Sequence, residues 1–308
     1  MTAGVLAILG LAGGVALAFA GAWAVTRGAR ALPVAAAGFV GAASAAWPAF
    51  AFSVGASAAH LPGASVGAVA GGLIATAFLT AVIGASAGGL PPRGVRPFAV
   101  AVALAVAVLI FVAYDGQISR SEGGMMVLLA VAVGWQMLQA KSLFRPAEAV
   151  TADAVIAPNP LLAAGWTTLG LAVIALATWL LTSAIDALSL GRPDGDLKLG
   201  LTVLGLAAAL PGLVLTVGAA RRGEGGPVLV KIMAVTALGL LAGLGAAALV
   251  HPISVSDAFL GAPTVAVSAG AVILLLIAFT GVKPPRAAIG LGAVVYLGFL
   301  AAFLGVFG

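Results

Sequence analysis

Ten apolar runs, separated by short clusters of glycine, proline and charged residues, make up most of this 308-residue chain. A helix rises about 1.5 Å per residue, so a run of about 20 apolar residues crosses the roughly 30 Å hydrocarbon layer of a bilayer. The runs predict transmembrane helices over about 3–25, 33–59, 65–89, 98–114, 124–140, 161–185, 199–219, 228–250, 264–282 and 289–307. Glycine and proline punctuate the connections, as at Leu90-Pro91-Pro92-Arg93-Gly94 and Lys283-Pro284-Pro285-Arg286. Only residues 141–160, with Arg145-Pro146 and Pro158-Asn159-Pro160, read as a linker, and they divide the chain into 1–140 and 161–308, with five spans in each.

Composition places the chain in the bilayer. Hydrophobic residues are 63% of it, charged residues 7%, and the mean hydropathy is +1.23. A soluble domain carries about a quarter charged residues. No basic stretch precedes the first run, which is therefore expected to stay as a helix rather than be cleaved as a signal peptide. Cysteine is absent, which removes disulfide and thiol chemistry.

The net charge of +5 does not imply a nucleic-acid partner, because the basic residues sit in short loops between apolar spans. Loops after odd-numbered spans hold Arg27, Arg30, Arg93, Arg96, Lys141, Arg145, Arg221, Arg222, Lys283 and Arg286, whereas the other side holds Arg120, Arg192 and Lys198. This bias predicts a multi-pass plasma-membrane protein with both termini outside and the 141–160 linker in the cytoplasm. Five spans per half then insert the second half upside down relative to the first.

The halves also match in sequence. Ala208–Ala220 overlays Ala45–Ser57 without a gap, with identities at Ala45/Ala208, Ala46/Ala209, Pro48/Pro211, Val54/Val217, Gly55/Gly218 and Ala56/Ala219. Such a match points to an internal duplication that puts a proline in mid-helix in each copy. A mid-helix proline removes a backbone donor and frees carbonyls near the bilayer midplane.

Around the second proline, Gly200, Thr202, Leu210, Pro211, Ala219-Ala220-Arg221-Arg222-Gly223-Glu224 and Gly245 fall where the cation/calcium antiporters, the sodium/calcium exchangers, place similar residues. The chain resembles that family in its duplicated alpha-repeats, here about 33–89 and 199–250, whose signature reads G-T-S-L-P-E followed downstream by G-N/D-x-x-G-S-N. The second motif begins 19 residues after each proline, at Gly67-Ala68-Val69-Ala70-Gly71-Gly72 and at Val230-Lys231-Ile232-Met233-Ala234-Val235. A further resemblance lies in Tyr114–Gly124, close to the family's D-G-x-I-S-R-x-E/D-G turn, in which Ser119 or Ser121 with Glu122 is expected to cap the next helix. The resemblance implies an all-α polytopic fold of ten helices in two inverted five-helix repeats, sodium/calcium exchanger-like, working by alternating access.

The family's chemistry is missing. Its two ion-binding glutamates map to Ala49 and Gly212, and its Asn/Asp ligand positions map to Ala68 and Lys231. Calcium takes six to eight oxygen ligands including carboxylates, and a divalent ion without anionic partners is costly near the midplane. Calcium exchange by the usual route is therefore not expected. The candidate pathway set at family-equivalent positions is Ser44, Pro48, Ala49, Ser53, Ala68, Thr76, Pro211, Gly212, Thr216, Lys231 and Thr236.

Each member has a plainer role beside the functional one. Ser44, Ser53, Ser57, Thr76, Thr80, Thr202, Thr216 and Thr236 are polar groups that in membrane helices usually bond their own backbone or a neighbour. Gly67-x-x-x-Gly71 and Gly239-x-x-x-Gly243 suit close helix approach. Lys231 reads as a surrogate cation, a proton carrier, part of an anion site, or a side chain snorkelling to the headgroups. His60 and His251, at the outer ends of spans, read as interfacial residues, with pH sensing the alternative.

No phosphate-cradling glycine loop, metal-ligand cluster or nucleophile triad appears, so neither an enzyme, a cofactor nor a resident metal is expected. The expected partners are the lipid bilayer and a small ion or solute. The alternative is a non-transporting scaffold or accessory subunit that binds a partner protein. A transporter predicts a water-filled crevice reaching Pro48 and Pro211, and a scaffold predicts that region packed shut.

Overall fold

A computed structural model of the chain describes residues 2–30, 34–86, 93–140, 160–190, 192, 194–221, 223, 225–281, 284–285 and 287–303; at 2–3, 26, 29–30, 34–44, 93, 160, 215 and 227 it describes the backbone alone. The 141–160 linker therefore falls outside the described residues except for Pro160. The helices in chain order are α1 Thr2–Arg30, α2 Val34–Ala58, α3 Pro62–Ser86, α4 Arg96–Ala113 and α5 Arg120–Gln139. They continue as α6 Pro160–Ser189, α7 Gly195–Arg221, α8 Gly225–Val250, α9 Ala262–Thr280 and α10 Ala287–Phe303. Each overlays one predicted span.

The molecule is an all-helical multi-pass membrane protein. Among the described residues, eight helices combine membrane-crossing length with apolar composition; α2 has 25 residues, while α10 is shorter at 17. Proline starts several of them, because its fixed φ and missing N–H suit a first turn: Pro62 in α3, Pro97 in α4 and Pro263 in α9. The chain between α2 and α3 turns through His60, whose φ is +58°.

The helices are irregular away from their mid-helix prolines. α2 stays helical through Pro48 and α7 through Pro211, whereas single π-helical turns interrupt α3 at Thr76–Ala81 and α7 at Gly200–Leu204. Such turns are single-turn bulges within an α-helix.

Connections after α2, α4, α6 and α8 gather on one face. Asp196, in the first turn of α7, accepts a hydrogen bond from the Gly63 N–H at 2.8 Å and so caps α3 from 133 residues away. β1 Gln117–Ile118 pairs antiparallel with β2 Ile253–Ser254, Gln117 opposite Ser254 and Ile118 opposite Ile253. The ribbon starts from Gly116 at φ +81°, whose carbonyl accepts from the Val255 N–H at 2.8 Å. Of the two serines expected to cap α5, Ser119 does so: the Glu122 N–H donates to its hydroxyl at 3.4 Å, and its own N–H donates to the Glu122 carboxylate at 2.7 Å.

The odd-numbered connections lie largely outside the described residues, and the helix ends that lead into them, at Arg27 and Arg96, are at the opposite end of the bundle. There Arg27 sits 5.1 Å from the Trp23 ring and 4.9 Å from Trp166, and Arg96 5.3 Å from Phe279. Cations on aromatic rings suit a membrane interface.

Small residues bring the helices together. Along α1, Gly14, Gly21 and Gly28 recur every seven residues against Leu181, Ile174 and Thr167 of α6, where an added Cβ would lie 2.5, 2.7 and 2.5 Å from the nearest side-chain atom. A seven-residue repeat keeps one seam facing its partner along a long antiparallel contact. The main apolar core joins α3, α4, α5, α8 and α9, and a smaller one, with Phe52, Leu181, Ile185 and Leu204, lies beneath α1, α2, α6 and α7.

Gly71→Val is expected to destroy the monodisperse peak in detergent size-exclusion chromatography, because its Cβ would run into the Leu201 carbonyl, whereas Gly134→Val, which meets nothing within 4 Å, leaves it intact. Asp196→Ala, measured by thermal unfolding in detergent, should lose about 1 kcal/mol, the usual worth of a capping oxygen, and Asp196→Asn should lose less.

Candidate functional site

Helices α2, α3, α7 and α8 meet in two crossings, α3 on α7 and α2 on α8. At the first, the backbones touch: a Cβ on Gly67 would lie 2.6 Å from the Leu201 nitrogen, one on Gly200 2.6 Å from the Ala64 Cα, and one on Gly205 2.5 Å from the Gly71 Cα. At the second, Gly239 and Gly243 of α8 receive α2, with Ala49 Cβ 3.3 Å from a Cβ built on Gly239 and Ala49 O 3.5 Å from one on Gly243. Both glycine pairs are thus used for close approach, as expected.

The pathway positions distribute around these crossings. Pro48 and Pro211 are buried, and Ala49 is half-buried against α8. Gly212 differs from Ala49, since a Cβ there would meet no atom within 4 Å. Ala68 is fully buried in the smaller core. Ser44 lies on the α2 backbone, and its side chain is outside the described residues. Lys231 is half-buried in the second turn of α8, at the end nearer the odd-numbered connections.

The hydroxyls mostly serve the protein itself. Thr216 donates to the Gly212 carbonyl at 2.7 Å, Thr236 to Ile232 at 2.8 Å and Thr202 to Lys198 at 2.7 Å, each four residues back in its own helix. Ser53 and Ser65 lock α2 to α3 through hydroxyls 3.0 Å apart, with Ser65 also donating to the Ser53 carbonyl at 2.9 Å. Ser57 joins α2 to α8 by donating to the Ala247 carbonyl at 2.8 Å. Ser53 and Thr216, at matching positions in the two halves, bond differently, Ser53 to Ser65 and Thr216 to its own helix.

Three features were not read from the sequence. Thr76, Thr80 and Thr202 fall on the two π turns, where the regular backbone ladder is interrupted. Thr80 is 1% exposed, and among the described residues its hydroxyl has no hydrogen-bond partner. Ser65 completes the Ser53 lock. Threonine among alanines at 76–81 was the available signal for the π turn, and it matches that of any membrane helix.

Two cavities open nearby, and neither is lined by Pro48 or Pro211. One of about 360 Å³ is apolar and lies between α3, α9 and α10, bounded by Ile74, Phe78, Val265, Ala266, Val295 and Phe299. The other, of about 130 Å³, lies on the even-connection face and contains Ser57, His60 and His251. Among the described residues, no group of three or more His, Cys, Asp or Glu side chains is placed to hold a metal.

Comparison with known proteins places this geometry. The chain has the fold of the sodium-calcium exchanger NCX_Mj: against that protein soaked with 10 mM Na+ and 10 mM Sr2+, the TM-score is 0.63 at 18% identity, covering 99% of each chain. Against NCX_Mj soaked with 2.5 mM Na+ and 1 mM Sr2+ it is 0.65 at 19% identity, covering 96% of this chain and 98% of the other. In sequence the chain is similar to the inner membrane protein YrbG of Escherichia coli (strain K12), 29% identical over 177 residues. That match takes in 51% of this chain, so the chain spans about half, 54%, of the curated relative's length. No protein-family model matches. The likenesses to the solved structures show the fold.

Thr80→Val, which exchanges an unpartnered buried hydroxyl for a methyl, should leave the melting temperature unchanged or raised, because no native hydrogen bond is lost. Thermal unfolding of the two proteins in one detergent decides this, and a fall of more than a few degrees would mean that Thr80 is bonded in the folded state.

Proposed function

We propose that this chain is a secondary transporter of the exchanger fold that carries a small ion or solute by alternating access and has lost calcium exchange by the carboxylate route. The observation that carries the reading is Thr80. Its hydroxyl is buried and, among the described residues, unpartnered on a π turn of a membrane-spanning helix, where a missing hydrogen bond costs about 1–3 kcal/mol. Such an arrangement suits a group whose partner is a passing ligand, and π turns recur at functional sites. The exchanger fold and the space beside Gly212 support the same reading.

The loss of calcium chemistry rests on the side chains. Ala49 and Gly212 offer no carboxylate, and Ala68 offers no oxygen beyond its backbone. Lys231 would add positive charge near the odd-connection end of α8, which disfavours a divalent cation and suits a proton-coupled or anionic cargo. The two halves, 1–140 and 161–308, act as inverted repeats, with the odd-numbered connections and the linker in the cytoplasm and both termini outside.

A scaffold or accessory subunit is the second reading. It is favoured by the burial of both prolines and by the closed bonding of Ser53, Thr216 and Thr236.

Proteoliposomes loaded with sodium and diluted into sodium-free buffer separate these outcomes. Calcium uptake is expected to match that of protein-free vesicles, and sodium-dependent uptake abolished by Thr80→Val would overturn the loss of calcium exchange. Fluxes of sodium, potassium, protons and chloride through the same vesicles test transport itself. The transporter reading predicts that at least one exceeds the protein-free level and falls at least tenfold in Thr80→Val, whereas silence in every flux leaves the scaffold.

A further inference from the structure

His60 and His251, separated by most of the chain in sequence, meet on the even-connection face with ring centroids 4.9 Å apart and planes at 88°. Both line the 130 Å³ pocket, together with Ser57 and Ser254. With metal–nitrogen bonds of about 2.0–2.1 Å, two imidazoles sharing one ion hold their centroids about 4.5–5.5 Å apart, so these rings already stand at ligating separation.

The hydrogen bonding prepares one of them. His251 Nδ1 lies 2.9 Å from the Pro252 carbonyl oxygen, which can only accept, so Nδ1 donates and, in the neutral ring, the lone pair is on Nε2. A carbonyl on the far nitrogen is also how metal-bound histidines are oriented. His60 is presented by a left-handed backbone, φ +58°, that costs a residue with a Cβ about 1–2 kcal/mol. Ser57 holds the two mounts together, donating to the Ala247 and His251 carbonyls at 2.8 and 3.3 Å. One opposing charge is close: the Arg120 guanidinium reaches the Val250 carbonyl at 3.5 Å, which weakens cation binding and keeps the ion exchangeable.

We infer that His60 and His251 form a two-histidine site for a divalent transition-metal ion of the zinc, nickel or copper class, with water completing the coordination. Nitrogen ligands select this class over calcium and magnesium, which take oxygen. A bound ion clamps the end of α2 to the end of α8. The site is independent of the transporter reading, since it uses neither Thr80 nor the positions beside the prolines.

The test is titration of tag-free protein in detergent with zinc chloride, followed by calorimetry and thermal unfolding. Expected are about one ion per chain at micromolar affinity, a melting temperature that rises with zinc, and no response to calcium. His60→Asn and His251→Asn should each weaken binding about tenfold or more while leaving the metal-free melting temperature close to that of the parent. Copper added to the unmodified protein gives a second readout that needs no variant, an electron paramagnetic resonance spectrum split by two imidazole nitrogens. Unchanged zinc affinity in the double variant, no saturation up to millimolar zinc, or a copper spectrum without nitrogen coupling overturns the inference.

Discussion

The backbone contact between α3 and α7 is the constraint on which the rest of the molecule depends. Lipid tails are as apolar as leucine, so helices in a bilayer gain little by hiding apolar surface from one another and must be held by close contact and hydrogen bonds. Gly67, Gly71, Gly200 and Gly205 remove the side chains that would keep the two helices apart. The π turn at Gly200–Leu204 lies within this contact, so the local departure from α-helix and the closest approach are one feature. On the neighbouring turns, the Ser53–Ser65 lock adds α2 to the pair, and Asp196 fixes where α3 begins.

The two crossings join stretches that match each other in sequence, and they are built differently. α3 meets α7 through bare backbone, whereas α2 meets α8 through Ala49 resting on Gly239 and Gly243. The positions after the prolines diverge accordingly, Ala49 covered by α8 and Gly212 with space beside it. Two positions equivalent in sequence have thus become chemically different sites.

Among the described residues, the even-connection face holds several long-range polar contacts. The Asp196 cap, the β1–β2 ribbon, the Ser57 bonds and the histidine pair tie together connections after α2, α4, α6 and α8. The opposite face carries arginines on aromatic rings.

Hydropathy alone determined that the chain spans a bilayer, where its helices run and which connections share a face, because each follows from the length of apolar runs and the alternation of crossings. The family signature in Gly200–Gly223 and Tyr114–Gly124 was enough to reach the exchanger fold, and missing carboxylates at Ala49 and Gly212 were legible as plain letters. What the candidate site looks like was decided only in three dimensions. Thr80 and Thr76 read like Thr216 and Thr236 in sequence, yet the first two fall on a π turn and the last two bond their own helix. His60 and His251 read as unrelated interfacial residues, and only the meeting of α2 and α8 made them a pair. A local pattern determines what each segment is in the bilayer; which polar atoms face one another depends on how segments far apart in sequence fit, and that is a property of their surfaces together.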